Sequence, residues 1–178
     1  MKPRTIASTL CLVALAFAAI DLAVSYPRLP DTVASHWGID NRPNGWMSKG
    51  AFAATFAGTL ALTGGLLMAV ILLMRRMPAK WINLPHKDYW LAPERREATW
   101  AFLSAWLLVF NAAVLAFLAA ILHLSLRANL DGTQMLSRTT DPMIVIFFAF
   151  TGIWTVRLLI RFRKPKPPEP AFPAPPPG

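Results

Sequence analysis

The chain has 178 residues, 55% hydrophobic and only 15% charged, with a mean hydropathy of +0.43. An ordinary soluble domain carries about a quarter of its residues as charges, so this composition excludes that class. Eighteen Lys and Arg against nine Asp and Glu give a net charge of +9, but no basic helix or aromatic-and-basic sheet pattern accompanies it, which argues against nucleic acid as a partner.

Four apolar runs are long enough to cross the ~30 Å hydrocarbon layer at ~1.5 Å per helical residue, at about 5–24, 51–74, 99–126 and 143–160. The expected fold is all-α and integral to the membrane: a four-transmembrane-helix bundle over residues 1–163, an outer loop cap, and a Pro-rich tail over 164–178. The first run has the basic start of a signal peptide at Lys2 and Arg4, and Ala23-Val24-Ser25 loosely resembles a cleavage site. Its apolar core is long for that role and Asp21 intrudes near its end, so it reads as an uncleaved helix. Cys11, the single cysteine, has no disulfide partner and no ligand at metal spacing, and reads as a small packing residue.

Pro27 and Pro30 stop the first helix, and Pro43-Asn44-Gly45 has turn chemistry. Trp37 and Trp46 suit the headgroup level, so the loop between the first two helices is expected to form a compact cap. In the second run Ala53, Ala57, Ala61 and Gly65 make a small-residue stripe, and in the third Ala112, Ala116 and Ala120 make another. Such stripes let helices approach closely in lipid and are the expected packing faces. Asn111, at a depth similar to Thr63 and Thr151, is expected to make a polar contact between helices. Between the second and third runs, Pro93, Glu94 and Glu97 suit a helix start in water. The last fifteen residues contain eight prolines, a composition expected to be disordered.

Basic residues set the orientation. With the N-terminus inside, Lys2, Arg4, Arg75, Arg76, Lys80, Lys87, Arg95, Arg96, Arg157, Arg161, Arg163, Lys164 and Lys166 are cytoplasmic, leaving Arg28, Arg42, Lys49, Arg127 and Arg138 outside. Thirteen of the 18 basic residues thus fall inside, which puts both termini in the cytoplasm.

Two clusters are candidate sites. By helix rise, Asp21 and His123 both lie near the outer surface, where His36, Trp37 and Lys49 of the first outer loop join them beneath the cap. The expected anchor is an ion pair of Asp21 with Lys49 or Arg28. Two histidines and one aspartate from separate segments are too few for zinc, so no metal is assigned, and no cofactor. On the cytoplasmic side, Lys87, Tyr89, Trp90, Glu94, Arg95 and Arg96 lie in a stretch too apolar to be a free linker. It is expected to lie against the helix ends or the headgroups, with Arg95 and Arg96 toward lipid phosphates.

The motifs Tyr26-Pro27…Leu29-Pro30…His36-Trp37-Gly38…Gly45-Trp46…Ser48-Lys49 and Asn83-Leu84-Pro85…Lys87…Tyr89-Trp90-Leu91-Ala92-Pro93-Glu94-Arg95-Arg96 resemble bacterial membrane proteins carrying the domain of unknown function 1648, a group related to the Sdp immunity protein. The resemblance covers about Tyr26 to Glu97. The chain departs from the pattern at Ala34, where the family usually has proline, near Asn41, where it has glycine, and at Asn44, where it has aspartate. The resemblance implies a bacterial inner membrane location and a non-enzymatic role in envelope sensing or protection. The alternatives are an accessory subunit of a larger membrane complex, and a small transporter or intramembrane enzyme using Asp21, His36 and His123. Expected partners are the lipid bilayer and a membrane protein or second copy. No Ser-His-Asp, metalloprotease or phosphate-loop motif is present.

Overall fold

The computed structural model describes residues 3–163; Lys2 and the Pro-rich tail at 164–178 lie outside the described residues. The elements run α1 (Pro3–Ser25), β1 (Thr32–Trp37), β2 (Pro43–Ser48), α2 (Lys49–Leu73), α3 (Lys87–Trp90), α4 (Pro93–Leu130) and α5 (Thr140–Arg161), with short 3-10 turns at Tyr26–Arg28, Met74–Arg76 and Ala79–Trp81. Among the described residues, α1, α2, α4 and α5 are long and apolar enough to cross a membrane. The boundaries have local causes. Pro27 falls in the 3-10 turn that ends α1, the Ser48 side chain accepts from the Ala51 N–H to cap α2, and Pro93 occupies the first turn of α4.

At 38 residues, α4 is longer than the expected 99–126 and spans about 57 Å. That exceeds the ~45 Å thickness of a bilayer with its headgroups. It is also the spine of the molecule. Leu108, Ala112, Leu115, Ala119, Leu122, Leu126 and Asn129 are buried along it at alternating spacings of four and three, the seven-residue pattern that keeps one seam facing a partner. Ala7, Cys11, Ala14 and Ala18 form the matching buried stripe on α1, which runs parallel to α4. These small side chains allow backbone-level approach, and the Cys11 Sγ lies 3.9 Å from the Leu108 carbonyl oxygen. Cys11 is thus the packing residue the sequence implies.

The alanine stripes picked from sequence are only partly the packing faces. Ala112 is buried, but Ala116, Ala57, Ala61 and Gly65 are exposed. The seam instead uses leucine on α4 and small residues on α1, a pairing that fills the gap without separating the helices. α2 runs antiparallel to α4, and at Gly64 a Cβ would sit 3.2 Å from the Leu115 side chain. Glycine there lets the Asn111 amide reach the Gly64 carbonyl at 3.4 Å, the interhelical polar contact expected of this asparagine.

Of the four long helices, α1, α2 and α4 share the apolar core of the expected bundle, and α5 lies at its side, adding the half-buried Leu158. Thr140 is the buried residue of α5; its apolar side chains are exposed or half-buried. It meets α4 through ring stacks, Trp106 on Trp154 at 3.8 Å and Phe117 on Phe147 at 4.1 Å between centroids. Large rings on both helices hold the two backbones apart.

The fold is not purely helical. The loop between α1 and α2 is a two-stranded antiparallel hairpin, pairing Thr32 with Ser48, Val33 with Met47, and Ala34 with Trp46. Its turn is Gly38–Arg42, closed by Gly38 N–H to the Arg42 carbonyl at 2.9 Å, with Asn41 in the left-handed region at φ 60°. Asn tolerates that conformation better than most residues. The Pro43-Asn44-Gly45 segment therefore lies within β2. Irregular register on either side of His36 accommodates it.

Candidate functional site at the hairpin end

A two-stranded hairpin alone is marginal in water, and this one is held by the segment that ends α4 and leads into α5. Asn129 is buried and its side-chain amide pairs with the Ala34 peptide twice. Its Oδ1 accepts from the Ala34 N–H at 2.7 Å, and its Nδ2 donates to the Ala34 carbonyl at 2.9 Å. The amide so acts as a one-residue third strand on the free edge of β1. Gln134, itself at φ 54°, receives both hairpin tryptophans: Trp37 Nε1 donates to its backbone carbonyl at 2.7 Å and Trp46 Nε1 to its Oε1 at 3.0 Å. Two further bonds close the seat, Leu136 N–H to the Asn41 carbonyl at 3.1 Å and Asn41 Nδ2 to Asp141 at 3.0 Å. The two tryptophans that sequence reasoning placed at the headgroups thus also lock one loop to the other.

Beneath the hairpin, Asp21 on α1 and His123 on α4 come together, as their depth implied. His123 Nδ1 lies 3.0 Å from Asp21 Oδ2, and Phe17 packs on the ring at 5.8 Å between centroids. The Asp21 side chain is 18% exposed and that of His123 is 42% exposed, so the outer edge of the imidazole is accessible.

The other expected members stand elsewhere. Lys49 pairs with Asp31 at 2.9 Å and not with Asp21, because the hairpin register brings the two ends of the loop side by side: Lys49 N–H also donates to the Asp31 carbonyl. The hydrogen bond from the Lys49 ammonium to the Asp31 carboxylate, with its charge, holds that carboxyl below the usual carboxylate range. Arg28 likewise does not meet Asp21. His36 is exposed on β1 and shares a hydrogen bond with Asn44 across the strands at 2.6 Å, so it belongs to the hairpin and not to the Asp21–His123 pair. Among the described residues, no group of three or more His, Cys, Asp or Glu is arranged to hold a metal ion.

At the opposite end the expected order of the 83–97 segment is met by packing. Arg95 stacks over the Tyr89 ring at 3.9 Å and its Nε donates to the Tyr89 carbonyl at 2.8 Å. Trp90 Nε1 donates to the Phe162 carbonyl at 3.2 Å, Thr99 Oγ1 donates to the Trp90 carbonyl at 2.8 Å, and Arg161 lies over the Trp90 ring at 4.8 Å. Glu94 is in the first turn of α4, Glu97 pairs with Arg75 at 3.4 Å, and Lys87 opens α3. Arg96 is exposed beside them.

Sequence reasoning missed Asn129, Gln134, Asp31 and Asp141. The one available signal was an amide at the polar end of an apolar helix, Asn129, spaced in phase with the buried leucines.

Residues 10–62 match the sequence model of a family described as a domain of unknown function, DUF1648. The match starts within α1, covers the whole hairpin and stops within α2, so it does not extend to the 83–97 motif that seemed to share the resemblance. No curated protein and no solved structure matches the chain.

Proposed function

We propose that the protein is a non-enzymatic, multi-pass protein of the bacterial cytoplasmic membrane, with both termini in the cytoplasm, whose hairpin acts outside the cell in envelope sensing or protection. The observation that carries this reading is the hairpin's attachment. Its tryptophans, the Ala34 backbone and Asn41 of its turn hold it on the α4–α5 connection, while Ile39 at the tip is fully exposed. A rigid perch with an exposed apolar tip suits binding better than turnover. The basic asymmetry of the sequence supports the orientation, and the family match over the hairpin sets that loop within a domain of unknown function.

Labelling of intact cells tests the sidedness: a cysteine at Ile39 is expected to react with an impermeant maleimide and one at Ala79 is not. Sensitivity to membrane-active peptides tests the role. Cells lacking the chain are expected to be more sensitive, and Ile39→Asp is expected not to restore them despite unchanged thermal stability. Full restoration by Ile39→Asp defeats the binding-tip reading.

A second reading is favoured by α5, whose apolar face is open along its length. An accessory subunit would cover that face with another membrane protein, and purification in mild detergent would then bring down a stoichiometric partner.

A further inference from the structure

α5 stands off from α4, and the space between them and α1 is a groove of about 660 Å³. α4 forms its floor with Ala112, Ala116 and Ala120, while α1 and α5 form its walls. Its lining is apolar except at the hairpin end, where His123 and Thr139 border it. From Val109 to His123 the groove runs about 21 Å along α4, half the ~40–45 Å thickness of a bilayer with its headgroups. That is the length of one lipid in one leaflet, and the polar border lies at the headgroup end.

The polar groups at that end are complementary to a phospholipid. His123 is held through Nδ1, 3.0 Å from Asp21 Oδ2, and its Nε2 makes no hydrogen bond among the described residues. Arg127 lies one turn further along α4 on the same face as His123. It is exposed, and its side chain makes no ion pair or hydrogen bond among the described residues. A second groove of about 660 Å³ lies between α1 and α2 and ends at Tyr26. The nearby ammonium of Lys49 is already taken by Asp31. Beyond the polar border of the first groove, one helical turn past His123, stands a guanidinium unpaired among the described residues, whereas the ammonium beyond the second is paired with Asp31.

We propose that the groove between α1, α4 and α5 is a binding site for a phospholipid of the surrounding bilayer, with one acyl chain along the alanine floor. Its phosphate sits at Arg127, and a headgroup hydroxyl shares a hydrogen bond with His123 Nε2. The proposal rests on the membrane-spanning reading above. It makes the lipid the filler that joins α5 to the rest of the molecule.

Native mass spectrometry of the full chain, released from detergent after incubation with dioleoylphosphatidylglycerol or with dioleoylglycerol, tests it. The unaltered protein is expected to retain the phospholipid about tenfold better than the diacylglycerol. Arg127→Gln should remove that preference, and Ala116→Phe should reduce retention of both lipids by filling the floor. Ala57→Phe, in the second groove, should leave both unchanged. Ala116, Ala57 and Arg127 are all exposed, so each variant is expected to fold, with thermal unfolding as the check. Should Ala116→Phe unfold, Arg127→Gln alone decides. Equal retention of the two lipids by the unaltered chain, or equal effects of the two phenylalanine variants, overturns the site. Failure of the chain to fractionate with membranes would overturn the spanning reading and the site together, whereas loss of selectivity in a membrane-integrated chain removes the site alone.

Discussion

The two sides of α4 hold their neighbours by opposite means. On one side the seam from Leu108 to Asn129 takes α1 and then the hairpin, using small residues, leucines and finally an amide that pairs with backbone. On the other side α5 is touched by aromatic rings that reach across a gap. The first contact is specified at backbone distance, where an added methylene must displace something. The second is adjustable, because stacked rings tolerate sliding and leave room for lipid. Rigidity therefore belongs to α1, α2, α4 and the hairpin, and freedom to α5.

The largest effect expected from breaking this contrast is at Asn129. Asn129→Leu orphans both polar groups of the Ala34 peptide, each costing about 1–3 kcal/mol when buried without a partner. We expect a loss of about 3 kcal/mol in detergent and rapid amide exchange in β1. Protection in β1 equal to that of the unaltered chain would mean the third-strand role is wrong. Ala18→Leu comes next. This residue is 1% exposed on the α1 seam, and overpacking should cost about 2 kcal/mol. A matching insertion on the other side, Ala to Leu at Ala149, is expected to be neutral because that residue is exposed on α5. Equal losses at the two sites would erase the contrast.

Smaller still, Trp154→Ala removes the 3.8 Å stack on Trp106 and should cost about 1 kcal/mol. Cross-linking between α4 and α5 should fall while hairpin protection stays unchanged. A parallel loss of hairpin protection would show that α5 is part of the rigid unit. The least effect is expected at the base of the hairpin. The Asp31 carboxyl has a lowered folded pKa, so its contribution is present above the unfolded value of about 3.9 and is lost as pH falls through the folded one. The Asp31 side chain is 95% exposed, so the acid-dependent loosening of Lys49 N–H should be slight and weakened by salt. Insensitivity of that amide to both acid and salt would argue that the backbone bond alone closes the loop.

The helices were legible because an apolar run of membrane length has few alternative structures, and Pro27 and Pro93 mark their ends. The hairpin was not. Its strands are six residues each, one contains Pro43 and Gly45, and its pairing is sustained by Asn129, almost a hundred residues away. The meeting of Asp21 and His123 followed from helix rise alone, since both sit at a fixed depth on parallel helices. The partner of Lys49 did not, because strand register decided it. The α4 seam was hidden by its mixture of leucine and alanine, whereas the stripes of alanine alone turned out to border the grooves.

The separation in sequence between the hairpin and its seat also sets an order of events during synthesis. The Ala34–Asn129, Asp21–His123 and Trp37–Gln134 contacts span 95, 102 and 97 residues. At roughly 5–20 residues per second, α1, the hairpin and α2 emerge about 5–20 s before the surface they need exists. Through that interval the small-residue face of α1 and the unpaired edge of β1 have no native partner; α4 covers the α1 face first, from Leu108 to His123, and the edge of β1 only when Asn129 is made. A chain truncated between His123 and Asn129 is therefore expected to assemble α1 on α4 and leave the hairpin unseated.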